Sequence, residues 1–194
     1  MNYNAYILTG GKSSRFGTDK ALIKLGGKPI IQIIADELKK IFQIVTLVTD
    51  RPGDYSFLSL ESVADTYTAG GPLAGIHTAL KHSVAERNFI ISCDMPLINS
   101  EIIKYIIEYP TDKNIVIPFA DGRKQYLCAI YNKCTLKNAE ALLEATKNDL
   151  RSASPYDLIM ACGYELIDFD AQDIYDKKCF FNLNSPEDLS LIRK

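Results

Sequence analysis

Short apolar runs alternate along this chain with amphipathic stretches of helical period, and few architectures can absorb that pattern. Residues 3–8, 44–49, 88–92 and 115–119 are apolar without an in-and-out alternation, as strands covered on both faces are. Between the first two, Ile30, Ile34, Leu38 and Ile41 recur at helical spacing, with Asp36, Glu37, Lys39 and Lys40 on the opposite side. Strand, helix, strand, helix predicts a mostly parallel sheet joined by right-handed crossovers: an α/β, three-layer, Rossmann-like sandwich. Further along, Ser100 is expected to cap a helix over 101–109, and 126–131 to form another strand. Helices are expected at 135–147, 153–162 and 186–193, and a strand at 165–169. A ligand of such a sheet sits beyond the carboxyl ends of its strands, so the loops at 9–20, 50–52 and 93–94 should share one mouth.

At 194 residues the chain is long enough to bury roughly 70% of its unfolded surface in one core, so a single domain over 1–194 is expected. Twenty-two basic against 24 acidic residues leave a net charge of −2, which argues against nucleic acid or a membrane surface as partner. No apolar run approaches a membrane span of ~18 residues and no leader pattern opens the chain, so a cytoplasmic location is expected. The five cysteines, Cys93, Cys128, Cys134, Cys162 and Cys179, are irregularly spaced without a Cys-x-x-Cys pair, which favours reduced packing residues over disulfides or zinc.

The stretch after the first strand, Leu8-Thr9-Gly10-Gly11-Lys12-Ser13-Ser14-Arg15-Phe16-Gly17-Thr18-Asp19-Lys20, carries the chemistry. Adjacent glycines let backbone N–H groups approach an anion, and Arg15 and Lys20 supply full positive charge for a triphosphate. It is neither a Walker A loop, whose first glycine would fall at Tyr6, nor a dinucleotide fingerprint, since no Gly-x-Gly occurs.

This stretch, with Gly27-Lys28-Pro29 after it, resembles the signature of the molybdenum cofactor guanylyltransferases, within the wider nucleotidyltransferases that join an NTP to a phosphorylated acceptor. Gly71-Pro72-Leu73-Ala74-Gly75 with Cys93-Asp94-Met95-Pro96, and Phe181-Asn182-Leu183-Asn184-Ser185-Pro186-Glu187-Asp188-Leu189, follow in the family's order. The resemblance implies a nucleotidyltransferase sheet and transfer of GMP from MgGTP to the molybdopterin cofactor. It implies that Lys20 and Arg15 bind the phosphates, that Leu8, Thr9, Gly10 and Gly11 face base and ribose, and that Asp65, Gly71 and Gly75 touch the nucleotide. It implies Asp94 as the Mg2+ ligand, with Lys20, Arg15 and Asp94 as the catalytic set. Asn182 and Asn184 fall toward the pterin phosphate, and molybdopterin-loading proteins and apo-molybdoenzymes become conceivable partners.

Chemistry agrees with those residue types: a phosphate nucleophile needs alignment and charge neutralisation rather than a protein nucleophile. Aspartate at a strand's end suits Mg2+, which takes one or two protein carboxylates. His77 and His82 receive no role. The chain departs from the family pattern at Thr9, Phe16, Val48 and Tyr126. Alternatives are a CTP-dependent cytidylyltransferase, whose loop more often reads Leu-Ala-Ala-Gly, and a GTP-binding adaptor that transfers cofactor without chemistry.

Overall fold

In the computed structural model, which describes residues 3–9, 19–67, 70–146, 152–172, 176, 178–185 and 187–192, neighbouring side chains of the first strand enter two different cores. The strand is β1 (Tyr3–Leu8). Ala5 and Ile7 join one apolar cluster, Tyr6 and Leu8 the other. Successive side chains of a strand point to opposite faces, so a strand covered on both has no position left for a polar alternation.

The chain continues through a two-stranded ribbon, β2 (Lys24–Leu25) and β3 (Lys28–Pro29), to α1 (Ile30–Lys39), β4 (Val45–Val48), β5 (Glu61–Val63) and α2 (Gly71–His82). Then come β6 (Arg87–Ser92), α3 (Ser100–Glu108), β7 (Ile115–Ala120), β8 (Arg123–Lys124) and β9 (Cys128–Asn132). It closes with α4 (Leu136–Ala145), α5 (Pro155–Cys162), β10 (Glu165–Asp168) and α6 (Asp188–Ile192). Ile30, Ile34 and Leu38 of α1 and Ile102, Ile103 and Ile106 of α3 bury against one face of the sheet, with Phe180 and Leu183 of the terminal segment. Leu73, Ile76 and Leu80 of α2, Leu143 of α4 and Leu158 of α5 cover the other, which makes the three expected layers.

Strand order in the main sheet is β10-β7-β9-β6-β1-β4-β5, with β8 paired to β7. β1 lies parallel between β4 and β6, and Leu8 is level with both Val48 and Ser92. Val48 in turn faces Val63 of β5. Three chain crossings thus emerge side by side: Thr9, Thr49-Asp50 and Cys93-Asp94. The sheet is mixed, because β9 runs antiparallel to both β6 and β7.

Several boundaries differ from the sequence expectations. Asn99, not Ser100, caps α3, its side-chain oxygen accepting from the Ile102 N–H at 3.0 Å; Ser100 is the first helical residue. The strand expected over 126–131 starts at Cys128, whose N–H donates into a turn at the Gln125 carbonyl. Ser154 and Asp157 form a capping box, so α5 begins at Pro155 rather than at Ala153. β4 is shorter than 44–49, Ile44 lying exposed just ahead of it, and α4 is shorter than 135–147. The terminal helix spans Asp188–Ile192; Pro186 and Arg193, the expected bounds, lie outside the described residues. The edge strand β5 escaped prediction because two of its three residues are exposed and polar. Among the described residues no helix is long and apolar enough to cross a membrane.

Candidate active site

The mouth starts where β1 ends. Leu8 is buried beneath it, and Thr9 is tied to β4 twice, its N–H and its hydroxyl each donating to the Val48 carbonyl at 3.0 Å. Gly10, Gly11 and Arg15 lie outside the described residues. The chain is described again at Asp19, which caps a 3-10 turn over Lys20–Leu22: its carboxylate accepts from the Ala21 N–H at 3.0 Å. Lys20 therefore opens a turn whose start is locked by the preceding side chain.

Asp94 follows β6, the strand paired with β1. The Cys93 N–H donates to the Leu8 carbonyl at 3.1 Å, which extends the β1–β6 pairing into the mouth. The Ser92 hydroxyl donates to the Asp94 carboxylate. Burial pushes the Cys93 thiol up to about 12, the Asp94 and Asp19 carboxylates push in the same direction, and the Lys20 ammonium opposes them. Held protonated in this way, Cys93 is no nucleophile.

No trio of metal-ligating side chains occurs among the described residues. Asp94, a carboxylate at a strand's end, fits Mg2+, which takes one or two protein carboxylates and leaves most of its positions to phosphate oxygens and water. A zinc-type cage would not fit.

Asp65 follows β5 on the same edge. Its N–H donates to the Asp50 carboxylate at 3.2 Å, and one of its own carboxylate oxygens is buried without a hydrogen-bond partner among the described residues. Burial raises its pKa, the Asp50 charge adds to the rise, and the Thr78 hydroxyl opposes it. Gly71 opens α2 at φ +58°, with nothing within 4 Å of where a Cβ would stand, so its backbone conformation is what asks for glycine. Gly75 is different: a Cβ there would lie 2.9 Å from Leu8 Cδ1. Its missing side chain lets α2 sit directly on the end of β1, a packing role at the floor of the mouth.

At the opposite rim the Leu183 N–H donates to the Asp94 carbonyl at 2.8 Å, and the Leu183 side chain is fully buried. Asn182 and Asn184 flank it. The Asn182 amide donates to the Phe180 carbonyl at 3.0 Å, and the Asn184 amide to the Asn182 carbonyl at 3.3 Å. The Asp188 carboxylate accepts from the Asn184 and Ser185 N–H groups at 2.7 and 2.8 Å.

Residues 5–157 match the profile of the MobA-like NTP transferase domain. The chain belongs to the MobA-like NTP transferase family. A "probable molybdenum cofactor guanylyltransferase" of Carboxydothermus hydrogenoformans is 32% identical over 194 residues, covering all of this chain and 96% of that protein. The crystal structure of a putative protein from Aquifex aeolicus superposes with a TM-score of 0.77 at 29% identity, covering 95% of this chain and 94% of the other. The crystal structure of molybdopterin-guanine dinucleotide biosynthesis protein A from Archaeoglobus fulgidus gives a TM-score of 0.80 at 23% identity, covering 97% and 95%.

As a MobA-like NTP transferase the chain is a nucleotidyltransferase, and Lys20, Asp65, Gly71, Gly75 and Asp94 all fall inside the matched span, whereas Asn182 and Asn184 lie beyond it. Sequence reading overlooked Arg51 and Tyr55, which reach Asp19 from 32 and 36 residues further on. Only the loop 50–52, expected at the mouth, hinted at them.

Proposed function

We propose that this protein transfers GMP from MgGTP to the phosphate of the molybdenum-bearing molybdopterin cofactor, releasing pyrophosphate. A terminal phosphate oxygen of the acceptor attacks the α-phosphorus of GTP; a new P–O bond forms as the bond to the β-phosphate oxygen breaks. No protein base is required, because the attacking phosphate is already ionised near neutral pH. Lys20 and Arg15 hold the triphosphate and neutralise charge that builds on the leaving pyrophosphate. Leu8, Thr9, Gly10, Gly11, Asp65, Gly71 and Gly75 border the nucleoside. Asp94 would hold Mg2+, which when bound supplies Lewis-acid polarisation of the reacting phosphates. Asn182 and Asn184 offer uncharged donors and acceptors to the acceptor side.

The observation that carries this reading is that three motifs distant in sequence meet through backbone hydrogen bonds, from the Cys93 N–H to the Leu8 carbonyl and from the Leu183 N–H to the Asp94 carbonyl. The guanylyl assignment draws on the names of relatives about a third identical over the whole chain. The test is pyrophosphate release by the purified protein with Mg2+, molybdopterin cofactor and either GTP or CTP. Turnover with GTP is expected; turnover with CTP alone moves the protein to the cytidylyl branch. Tight GTP binding without any turnover would leave the adaptor reading.

A further inference from the structure

The described end of the phosphate loop carries a side-chain network that nucleotide contact alone does not explain. One oxygen of Asp19, Oδ1, closes the turn ahead of Lys20 by accepting from the Ala21 N–H. The other, Oδ2, accepts from Arg51 Nη2 at 2.6 Å and from the Tyr55 hydroxyl at 2.5 Å. Both donors belong to the segment after β4. Arg51 is anchored there by its own N–H, which donates to Thr49 Oγ1 at 3.1 Å, and its guanidinium also faces Asp54 at 3.4 Å. Tyr55 is 2% exposed. Burial, and then the hydrogen bond to Asp19, push its phenol far up, so it remains an O–H donor; the same hydroxyl lies beside Thr9.

Two consequences follow from this geometry. A carboxylate adjacent to a phosphate-binding lysine would compete with the phosphate for it, and here that charge is answered by a guanidinium and a phenol. Charge-assisted hydrogen bonds are short and directional, and the Asp19 carboxylate that accepts both is largely shielded from solvent. The Asp19 carboxylate cannot swing without breaking contacts to two chain segments, and Lys20 is the next residue.

We propose that Asp19, Arg51 and Tyr55 form a clamp that sets the position of Lys20: three positioning residues, none touching the nucleotide, acting through the lysine. The proposal rests on the function above for its kinetic consequence, and on the fold alone for its effect on the turn. Releasing the clamp should weaken whatever the lysine holds, GTP and the pyrophosphate product together, and leave the acceptor side unmoved.

Tyr55→Phe deletes one donor; Arg51→Gln alters a side chain more than half exposed and so keeps the test available should the buried variant fold poorly. Arg51→Lys keeps a charge and should restore part of the loss. In hydrogen exchange, the Ala21 and Leu22 amides, bonded to Asp19 in the native turn, should exchange roughly tenfold faster in either variant while β6 amides are unchanged. In kinetics, KM for MgGTP and the inhibition constant of pyrophosphate should both rise about five- to tenfold, with KM for the acceptor within about twofold of the parent. Faster exchange with an unchanged KM for GTP would make the network merely structural and overturn the proposal, as would unchanged exchange. Should the parent protein show no turnover with GTP, the proposed function falls, and the clamp is decided by the exchange rates together with the dissociation constant of MgGTP, which should rise about five- to tenfold in either variant.

Discussion

At the rim proposed to bind phosphate, Asp19 is fixed by side chains arriving from Arg51 and Tyr55; at the rim proposed to face the acceptor, the Asn182 to Asn184 segment is fixed by the main chain of Leu183 and by the burial of its side chain. The first attachment is electrostatic and directional, the second apolar and anchored to Asp94 by one backbone bond. Ionic contacts at a partly exposed site contribute little to folding but hold geometry. A fully buried leucine contributes a large share of local stability but orients its polar neighbours only indirectly. Damage to the phosphate rim should therefore appear in nucleotide binding, and damage to the acceptor rim first in stability.

The strongest test of that contrast removes the residue both rims share. Asp94→Ala should cut GTP-dependent pyrophosphate release by roughly a hundredfold or more, since it removes the carboxylate proposed to hold the metal, while the backbone bond from Leu183 to its carbonyl survives. Retention of more than a tenth of the parent rate would show that the acid is not part of the reaction. Next comes Leu183→Ala, expected to lower unfolding free energy by about 2–5 kcal/mol in denaturant titration and to raise KM for the acceptor but not for GTP. An equal rise for both substrates would erase the distinction between the rims.

A smaller effect is expected at the floor. Gly75→Ala places a methyl 2.9 Å from Leu8 Cδ1, and overpacking of about 1–3 kcal/mol is partly offset by the helix propensity of alanine, for a net loss of roughly 1 kcal/mol in thermal unfolding. The smallest concerns His77, which is buried on α2 edge-on to Tyr67, with neither ring nitrogen hydrogen-bonded among the described residues. Burial lowers its pKa below the usual 6.5; Lys81 lowers it further and Glu140 opposes. The unfolded chain then binds more protons in mild acid, so this contribution to stability is complete above about pH 6.5 and is lost as the pH falls toward the depressed native value. His77→Leu should flatten the slope of stability against pH just below 6.5; an unchanged slope would assign the acid sensitivity elsewhere.

Where the candidate residues gather was legible because a parallel sheet brings the loops after its strands to one edge. Loops that must follow strands announce themselves by strands before them, and Leu8, Lys20 and Asp94 could be assigned to one edge once β1, β4 and β6 were read as parallel. What escaped has no local signature. β5 is an edge strand too short and polar to show a period, and β9 runs antiparallel because the chain has already reversed between β7 and β8, at Asp121 and Gly122, both at positive φ. Ser100 was misread as a cap because Asn99 and Ser100 are both good caps in sequence, and only the approach of the Ile102 N–H to the Asn99 side chain separates them. At Gly75 the sequence allows either a nucleotide contact or close helix packing, and Leu8 at 2.9 Å from a would-be Cβ shows the packing.

By itself the sequence determined the layers, through apolar runs that cannot be satisfied unless both faces of a sheet are covered, and it determined which charged side chains follow the first strand. Tertiary structure alone decided that a carboxylate beside Lys20 is answered by Arg51 and Tyr55, and that the Leu183 N–H bonds the Asp94 carbonyl. Those pairings depend on distances between segments tens of residues apart, which are set by the register of the sheet and not by any local preference of the chain.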